Sequence, residues 1–589
     1  MQHAPAPSIR LREAPSADER ARLARELSLP PAVAALAWQR GVRGADDWRG
    51  WLGSDPAAQH DPYLLPDMDL AVDRLRFARE HGQRVLVHGD YDVDGLTGAA
   101  LLSRALRGLG FDADAFVPHR ARDGYGLSAR ALDRAVEAGC SLVVTVDCGS
   151  SEGEIIESLA ERGVDTVVTD HHLATALPEA LAFVSPMRAD SRYPFPALSG
   201  SALAYKLARA LCEALGRPLA GDQWLDYAAL GTVADVMPLT GENRLLVSAG
   251  LREMSRRLTA RPGSTADRSP VWRVMARTAG LQSGELSAQD LAFRLAPRLN
   301  APGRMGSARL SLQLLVSEDA QEAAQLAAQV EATNEERRER EASITASARE
   351  RALARLERAR VEGEALGALA LADADWHPGV LGISAARLAD EFARPVLLAG
   401  VDADGSARGS GRGPEGQDLK ALLDRCADAL ERYGGHRRAV GFTVRAGRWD
   451  AFAAALEAAA PSPAPPAPLM ADLAVTAGEL DRRFLDGLEL LGPFGEGNPE
   501  PVLMLRDAVP LESRVLKGQH LRLELEAPGG ERLRTIAFGR ASDLGPRLHR
   551  GEAVDLCLRV ARDTFQRRPG EHGLSLQLVE LTPAGTATS

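Results

Sequence analysis

The sequence has little lysine, little cysteine and few aromatic side chains, and it contains no long apolar run. Lys206, Lys420 and Lys517 are the only lysines among 70 basic residues, a bias that we attribute to a GC-rich genome rather than to function. The five cysteines form no CxxC pair, which excludes a disulfide framework and a thiolate zinc site. No segment approaches the roughly 18 apolar residues of a membrane span. The sequence therefore predicts a chain that does not cross a membrane.

The beginning of the chain and its charge narrow the cellular setting. Residues 1–20 have neither an apolar core nor a small-residue cleavage site, so nothing indicates export, and we expect a cytoplasmic protein. The formal charge of −11 does not exclude a nucleic-acid partner, because one face or groove can be locally basic. A chain of 589 residues is long enough for about three or four domains.

Short β-type runs alternate with helical runs between residues 84 and 240. RVLVH, LVVTV and VDTVVTD are followed by helices or loops, and SALAYKLARALCEAL is a long apolar helix. This alternation is typical of a parallel sheet covered on both faces, where ligands bind at the carboxyl ends of the strands. We assign residues 51–317 to this α/β domain and residues 1–50 to a helical segment before it.

The middle of the chain predicts a long helix and a second α/β domain. Residues 318–363 contain no Gly or Pro before Gly363, and they predict one connecting helix whose charged residues form a solvated face. A second strand and helix pattern extends over residues 364–460. PSPAPPAPL, at 461–469, then predicts a stiff linker that marks a domain boundary.

The last part of the chain, residues 470–585, predicts a small antiparallel barrel similar to an oligonucleotide-binding fold. Apolar and polar residues alternate there between turn signals. Residues 532–568 hold nine arginines against four acidic residues, and Phe538 and Phe565 are their aromatic residues. Such barrels bind single strands through a cationic groove and stacking aromatics. A packing module with ordinary surface arginines is the alternative.

Acidic residues follow three of the predicted strands. Asp90, Asp92 and Asp94 come after VLVH, Asp147 after LVVTV, and Asp170, His171 and His172 after TVVT, while Asp235 lies in LGTVADVMPL. Each of these aspartates, taken alone, could instead cap the next helix. Together, carboxylates that meet in one crevice would repel one another strongly, and bound cations would stabilise them.

The chemistry of these side chains indicates the kind of cation. Oxygen ligands with one or two imidazoles suit Mn²⁺ or Mg²⁺ better than zinc, and the histidine favours Mn²⁺. The ligands exceed the needs of a single ion. Two cations about 3.5–4 Å apart would share a carboxylate and promote in-line attack on phosphorus. The sequence therefore predicts a phosphoester hydrolase with two divalent cations.

The motifs resemble those of a known group of enzymes. DYDVDG, DCG and DHH, in this order at strand ends, are similar to the DHH phosphoesterase superfamily. GYGLS, LGTVADVMPL, LNAPGRM, WHPGVLGISAARL and GGH resemble its RecJ family, bacterial exonucleases that degrade single-stranded DNA from the 5′ end. The resemblance extends over roughly residues 50–585. It implies a parallel-sheet DHH domain, a long helix, a DHH-associated α/β domain and an OB-like barrel.

The resemblance also implies roles for individual residues. The residues that would hold the two cations are Asp90, Asp92, Asp94, Asp147, His171 and Asp235, with Asp147 as the bridge; whether Asp90 is a direct ligand stays open. The catalytic residues would be His172, which contacts the scissile phosphate, Arg304, which clamps it, and Asp147. The substrate-binding residues would be Arg120, Asn300, Ser410, Arg412, Gly435 and His436. For the 5′-phosphate pocket at Arg120, Ser410 and Arg412, the glycines of RGSGRG would let backbone N–H groups approach an anion.

The implied activity is 5′-to-3′ hydrolysis of single-stranded DNA to 5′-mononucleotides, in DNA repair and recombination. The partners implied are single-stranded DNA with a 5′ phosphate, a single-strand-binding protein and a helicase, and we expect a monomer. The alternative within hydrolases is a DHH phosphodiesterase for short oligoribonucleotides or cyclic dinucleotides, which the barrel and LNAPGRM disfavour; an inorganic pyrophosphatase is disfavoured further. The alternative from another class is a non-catalytic scaffold, which would have lost cation ligands, whereas here every expected position is filled.

Overall fold

The structure is a computed structural model of the chain. It describes residues 8–53, 59–120, 122–174, 176–219, 222–259, 269–281, 286–461, 467–549, 551–563 and 573–586. Within these ranges, no helix combines the length and the apolar character needed to cross a membrane. Phe565 and Arg568, from the arginine-rich stretch of the predicted barrel, lie outside the described residues. So does most of the predicted linker at 461–469.

The chain begins with a short strand and three helices. They are β1 (Ile9–Leu11), α1 (Ala17–Leu27), α2 (Pro31–Gln39) and α3 (Ala45–Leu52). Their apolar side chains, such as Leu23 and Leu36, share a core with Phe484 and Val560 from the far end of the chain. This segment therefore packs on the C-terminal barrel, which sequence patterning does not reveal.

The first α/β unit follows. Its elements are α4 (Met68–Glu80), β2 (Arg84–Gly89), α5 (Val93–Gly108), β3 (Ala113–Phe116), α6 (Ala129–Glu137), β4 (Cys140–Val146), α7 (Gly153–Glu161), β5 (Asp165–Thr169), β6 (Ala182–Val184), α8 (Gly200–Ala214), α9 (Leu225–Ala234), α10 (Gly241–Thr259), α11 (Val271–Thr278), α12 (Ala288–Asp290), α13 (Ala296–Met305) and α14 (Arg309–Val316). A π-helical turn, Leu291–Leu295, leads into α13. The five strands are parallel in the order β3-β2-β4-β5-β6. Strand β2 is buried almost throughout, which explains its continuous apolar sequence.

A single helix of 43 residues, α15 (Ala320–Glu362), leads to the second α/β unit. That unit contains β7 (Leu369–Asp373), α16 (Leu381–Phe392), β8 (Val396–Val401), β9 (Ala407–Arg412), α17 (Leu419–Asp424), β10 (Leu430–Gly435), β11 (Ala439–Val444) and α18 (Trp449–Ala459). Its sheet is mixed, in the order β10-β11-β9-β8-β7, with only β7 and β8 parallel.

The prediction that the charges of the long helix form only a solvated face is wrong for one stretch. Asn334, Arg337 and Glu341 are buried. The Arg337 guanidinium donates to Glu341 Oε2 at 3.0 Å and to Asn334 Oδ1 at 3.1 Å. Charged residues can be buried where they are paired and hydrogen-bonded, and here α15 passes between the two α/β units.

The C-terminal unit is a closed barrel with short helices. Its elements are β12 (Leu469–Ala471), β13 (Leu473–Ala474), α19 (Arg482–Glu489), β14 (Leu503–Leu516), β15 (His520–Glu526), β16 (Arg532–Ala537), α20 (Ala541–Leu544), β17 (Val554–Arg562) and β18 (Leu574–Pro583). Pairing of β14 with β17 closes the sheet, and the pair β16–β18 is parallel where an antiparallel barrel was expected. Strand β12 pairs with β1, so the last residue of the predicted linker is already in a sheet. The predicted fold class, two α/β units joined by a long helix and followed by a barrel, is confirmed.

Candidate active site

Three parallel strands deliver acidic residues to one edge of the first sheet. Strands β2, β4 and β5 are neighbours, and Gly89 lies opposite Val146, which lies opposite Thr169. The next residue along each strand is therefore Asp90, Asp147 or Asp170. Because these neighbouring strands are parallel and end together, the three aspartates converge at one crevice. The carboxyl ends of the strands are the usual ligand site of such sheets.

Helix α5 brings two further carboxylates. Asp92 is its N-cap and accepts hydrogen bonds from the backbone N–H groups of Asp94, at 2.9 Å, and Gly95, at 3.3 Å. A Cβ at Gly95 would overlap the backbone of Asp90, so only glycine lets the helix begin this close to the strand. The short distance between strand end and helix start explains the crowding of aspartates in DYDVDG.

The carboxylate of Asp94 points to the N-terminus of a second helix. Its Oδ2 accepts from the N–H of Gly200 at 2.6 Å, and its Oδ1 from the N–H of Ser201 at 2.9 Å. Both donors are in the first turn of α8, where the helix dipole stabilises negative charge. Asp94 is thus held in place by two backbone hydrogen bonds at a helix N-terminus.

His171 joins the aspartates through one ring nitrogen. Its Nε2 lies 3.0 Å from Asp147 Oδ1, 3.6 Å from Asp235 Oδ2 and 3.9 Å from Asp94 Oδ2. Asp235 is the C-cap of α9, so this helix contributes the last carboxylate. We call the set Asp90, Asp92, Asp94, Asp147, His171 and Asp235 the acidic floor.

The acidic floor divides into two groups of possible cation ligands. In one group, ligand atoms of Asp90, Asp92 and Asp147 all lie within 4.8 Å of one another; in the other, those of Asp94, His171 and Asp235 do. A third group links Asp147 and His171 to His172. Asp147 contacts both main groups, as expected of a residue shared by two cations.

The electrostatics of the acidic floor fit bound cations. Burial, together with the charges of Asp94 and Asp92, raises the pKa of Asp147 well above its usual value. Burial and the same neighbouring charges raise the pKa of Asp235 to about 8. Crowded carboxylates of this kind are stabilised in ionised form by divalent cations, and oxygen donors with one imidazole suit Mn²⁺ or Mg²⁺.

His172 lies beside the acidic floor and is hydrogen-bonded to Asp170. Its Nδ1 lies 2.8 Å from Asp170 Oδ1, and Asp170 Oδ2 accepts hydrogen bonds from the N–H and the hydroxyl of Ser150. Burial alone would lower the pKa of His172, but the hydrogen bond to Asp170 and its charge raise it to about 9. His172 is therefore positioned as a cationic donor at the edge of the crevice.

Tyr125 is a site residue that the sequence analysis missed. Its hydroxyl donates to the Asp147 carbonyl oxygen at 3.1 Å and lies 3.0 Å from His172 Nδ1. The residue lies in GYGLS, which contributes to the family resemblance without indicating a role for its tyrosine. Burial and the charge of Asp147 raise the pKa of its phenol, so the hydroxyl stays protonated.

A cavity of about 260 Å³ opens above the floor. Its lining residues are Asp90, Tyr91, Asp92, Arg120, Tyr125, Ala234, Asn300, Gly303 and Arg304. Three of the predicted substrate-contacting residues, Arg120, Asn300 and Arg304, therefore share one cavity with part of the acidic floor.

Arginines from four separate elements gather beside this cavity. Arg120 and Arg304 line the cavity, and burial together with the charges of Arg120, Arg337 and Arg412 lowers the pKa of Arg304 to about 10. Burial and Arg120 likewise lower the pKa of Arg412. We call Arg120, Arg304, Arg337 and Arg412 the arginine wall. Such a concentration of positive charge suits a phosphate group.

The glycines of RGSGRG do not form the anion-binding turn predicted from the sequence. Gly409 and Gly411 belong to β9, where Gly409 pairs with Ala399 and Phe442, and Gly411 with Leu397 and Val440, while Gly413 follows the end of the strand. A Cβ at Gly411 would lie 2.8 Å from the Val440 side chain, so packing requires the glycine. What β9 contributes to the cavity region is the side chain of Arg412, with Ser410 two residues before it on the same side of the strand.

Gly435 and His436 lie at the turn between β10 and β11. Both are exposed, and the His436 N–H donates to the Ala439 carbonyl oxygen at 2.8 Å. Ala439 is paired with Arg412 across the sheet. Within the part of the chain that the structure describes, no hydrogen bond or ion pair connects the His436 side chain to the acidic floor. The turn thus borders the arginine wall rather than the floor.

Family comparisons divide the chain in the same way as its fold. Residues 84–232 match the DHH family N-terminal domain, residues 365–461 the DHHA1 domain, and residues 471–572 the RecJ OB domain.

Whole-chain comparisons extend the match. The chain is 34% identical over 590 residues to the single-stranded-DNA-specific exonuclease RecJ of Dickeya dadantii, covering 94% of this chain and 96% of that protein. It is 36% identical to the RecJ of Thermus thermophilus, covering 85% of this chain and 69% of that protein. The match to the RecJ of Bacillus subtilis, at 34% identity, covers 84% of this chain and 61% of that longer protein.

Among solved structures, RecJ of Thermus thermophilus in complex with Mn²⁺ has a TM-score of 0.79 and 31% identity, covering 99% of this chain and 80% of that chain. The Mg²⁺ complex has a TM-score of 0.74 and 30% identity, covering 99% and 79%. The resemblance drawn from the motifs is confirmed.

Proposed function

The chain belongs to the RecJ family of the DHH superfamily, and we propose that it is a metal-dependent exonuclease that degrades single-stranded DNA from the 5′ end. The observation that carries the proposal is one cavity lined by Asp90 and Asp92 of the acidic floor and by Arg120 and Arg304 of the arginine wall. A site for cations beside a site for phosphate is what phosphodiester hydrolysis needs.

We propose two divalent cations, Mn²⁺ in preference or Mg²⁺, as cofactors. The residues that would hold them are Asp90, Asp92 and Asp147 on one side and Asp94, His171 and Asp235 on the other. When bound, the cations supply Lewis-acid activation of water and stabilise the charge that develops on the phosphate. Asp147, between the two groups, would be shared.

His172 is proposed to act on the scissile phosphate directly. Asp170 holds its Nδ1 and raises its pKa so that the ring carries a proton, while its Nε2 lies 3.4 Å from the hydroxyl of Tyr125, which lines the cavity. A preorganised cationic donor stabilises the extra negative charge on phosphate oxygens in the transition state. Arg304, supported by Asn300, would clamp the same phosphate from the cavity lining.

The direction of degradation would follow from the rest of the arginine wall. Arg120 and Arg412, with Ser410, would hold the terminal 5′ phosphate at a fixed distance from the acidic floor. The scissile bond would then be one nucleotide from that end, and each cycle would release one 5′-mononucleotide. Gly435 and His436, at the neighbouring turn, would contact the strand beyond the wall.

The barrel is proposed to bind the single strand further along. Phe538 is 56% exposed, and its ring lies 5.5 Å from that of His520, which gives a stacking surface next to the arginine-rich strands. We further propose a cytoplasmic role in DNA repair and recombination, as a monomer that works with a helicase and a single-strand-binding protein. These are the settings in which free 5′-ended single strands arise.

The test is to follow nucleotide release by purified protein with Mn²⁺ from four substrates: a long 5′-phosphorylated single strand, its 5′-hydroxyl counterpart, its duplex and a dinucleotide. We expect mononucleotides from the first strand, with label at the 5′ end released before label at the 3′ end. Faster turnover of the dinucleotide alone would favour the short-oligonucleotide phosphodiesterase. Release of the 3′ label first would contradict the proposed direction.

A further inference from the structure

Helix α9 ends in a Schellman motif that has a valine, Val236, where glycine is usual. The N–H of Val236 donates to the Val233 carbonyl at 3.2 Å, and the N–H of Met237 to the Thr232 carbonyl at 3.1 Å. This pair of bonds is the Schellman motif, which places the residue after the C-cap in the left-handed region. Val236 is that residue, with φ of 57°.

Other helices of this chain use glycine at the equivalent position. Gly41, Gly82, Gly110, Gly139, Gly163, Gly216 and Gly280 directly follow the C-caps of α2, α4, α5, α6, α7, α8 and α11, with φ from 60° to 90°. A β-branched side chain is strained in this conformation, whereas glycine is not. The sequence therefore keeps a strained valine at a position where seven of its other helices have glycine.

The packing of the protein does not compensate for this strain. The side chain of Val236 is 64% exposed, so it gains little from burial. The loop after it is also fixed from the barrel side, because the Leu239 N–H donates to the Glu496 carbonyl at 2.7 Å. The backbone is thus held on both sides, and the valine side chain is presented outward.

The position of Val236 suggests what covers it. It directly follows Asp235, whose Oδ2 lies 3.6 Å from His171 Nε2, and Ala234 lines the cavity. Consecutive Cα atoms are about 3.8 Å apart, so Val236 is at the rim of the acidic floor. A strand whose phosphate is at the floor would bring a nucleoside to this rim.

We propose that Val236 is an apolar contact for the nucleoside next to the scissile phosphate, an inference that rests on the proposed nuclease function. The faces of bases are the large apolar surfaces of single-stranded DNA. A valine held on a fixed backbone gives such a face a rigid surface, and its exposed area is buried only when substrate is bound. The strain is retained because the side chain contributes to binding.

The test is Val236→Gly, measured for nuclease kinetics on a 5′-phosphorylated single strand and for thermal unfolding. Because the contact exists in both the bound substrate and the transition state, we expect KM to rise about tenfold with kcat nearly unchanged. Because glycine relieves the strain, we expect Tm to stay level or rise by about 1–3 °C. Val236→Ile, which keeps an apolar β-branched side chain, should retain a KM within about twofold of the wild type.

The matched control is Ala393→Gly, at an exposed residue with φ of 51° that ends α16. It should raise Tm without changing KM. An unchanged KM in Val236→Gly, in an otherwise active enzyme, would overturn this inference alone. A lower Tm together with a higher KM in both Val236 variants would mean a purely structural role and would also overturn it. A wild type that releases no nucleotides would overturn the proposed nuclease function as well.

Discussion

The acidic floor and the arginine wall are both clusters of like charge, but they are built differently. The floor comes from one α/β unit, where three neighbouring strands and helices α5 and α9 deliver its residues to one sheet edge. The wall is assembled from a loop after β3, from α13, from α15 and from β9, so it needs both α/β units. In our proposal the floor would be neutralised by cations, and the arginines of the wall that line the cavity would be neutralised by phosphate.

This difference predicts that the two clusters fail differently when they are mutated. Loss of a floor residue should remove the chemistry on every substrate, because no cleavage occurs without the cations. Loss of a wall residue should change which substrate is preferred and how tightly it is held.

The largest effect is expected for Asp147→Ala. Its carboxylate contacts both ligand groups, so its removal should disrupt both cation sites. Loss of residues that merely support metal ligands costs about 10- to 100-fold, so we expect nucleotide release to fall by more than about a hundredfold. The control is Asp133→Ala, an exposed position on α6. Activity close to the wild type in Asp147→Ala would show that the floor is not the catalytic centre.

A smaller and substrate-dependent effect is expected for Arg412→Ala. A hydrogen bond to a charged group contributes about 1.5–3 kcal/mol, so kcat/KM on a 5′-phosphorylated strand should fall about 10- to 100-fold. The 5′-hydroxyl strand should be affected much less, and the preference for a 5′ phosphate should disappear. Arg408→Ala, an exposed position on the same strand, is the matched control. An equal loss on both strands would place Arg412 outside the terminal-phosphate pocket.

The floor should make the stability of the cation-free protein depend on pH. Because the pKa of Asp235 is about 8 when folded, above its usual value near 4, the carboxyl favours the folded state at low pH. That contribution is complete below about pH 4 and is lost as the pH rises through about 8. In EDTA, Asp235→Asn should therefore unfold a few degrees higher than the wild type at pH 9, with the difference shrinking towards pH 4.

Saturating Mn²⁺ provides the internal control for this pH effect. Cations neutralise the floor, so they should stabilise the wild type most at high pH and Asp235→Asn less. Thermal unfolding followed by circular dichroism at several pH values measures both effects. A difference between the two proteins that does not vary with pH would argue against repulsion within the floor.

The smallest expected effect is on the salt dependence of substrate binding. Each contact with a phosphate of a single strand contributes about 0.7 to the slope of log affinity against log salt. Arg120→Ala should therefore reduce the slope for a 5′-phosphorylated strand by about that amount, while a floor variant such as Asp92→Asn should leave it nearly unchanged. Fluorescence anisotropy over a range of salt concentrations measures the slope. An unchanged slope in Arg120→Ala would remove Arg120 from the wall.

The sequence predicts that the floor residues converge, because their placement follows from the strands that they end. Asp90 and Asp147 directly follow apolar strands, and a parallel sheet brings such positions to one edge. The sequence alone does not decide which of these carboxylates would bind a cation directly and which would support a neighbouring residue. The pairing of Asp170 with His172, and the contact of Tyr125 with both Asp147 and His172, depend on loop geometry that no periodicity encodes.

Three arginines of the wall, Arg120, Arg304 and Arg412, could be predicted only from the family resemblance. The fourth, Arg337, was not predicted. Arg337 lies in a charged run that is typical of a solvent-exposed helix, and its burial depends on where the second α/β unit docks. Gly409 and Gly411, near Arg412 in the sequence, suggested an anion-binding turn. In the structure they allow close packing of β9 against its neighbours. Similarly, the packing of Leu23 and Leu36 on the barrel depends on tertiary contacts between residues far apart in the chain.

The most direct test of the account is anomalous X-ray diffraction from crystals of the wild-type protein soaked in Mn²⁺. We predict two manganese peaks, one bounded by Asp90 and Asp92 and the other by Asp94, His171 and Asp235, with Asp147 between them. No manganese at this sheet edge under saturating Mn²⁺, or manganese bound only elsewhere, would contradict the claim that the floor is a cation centre.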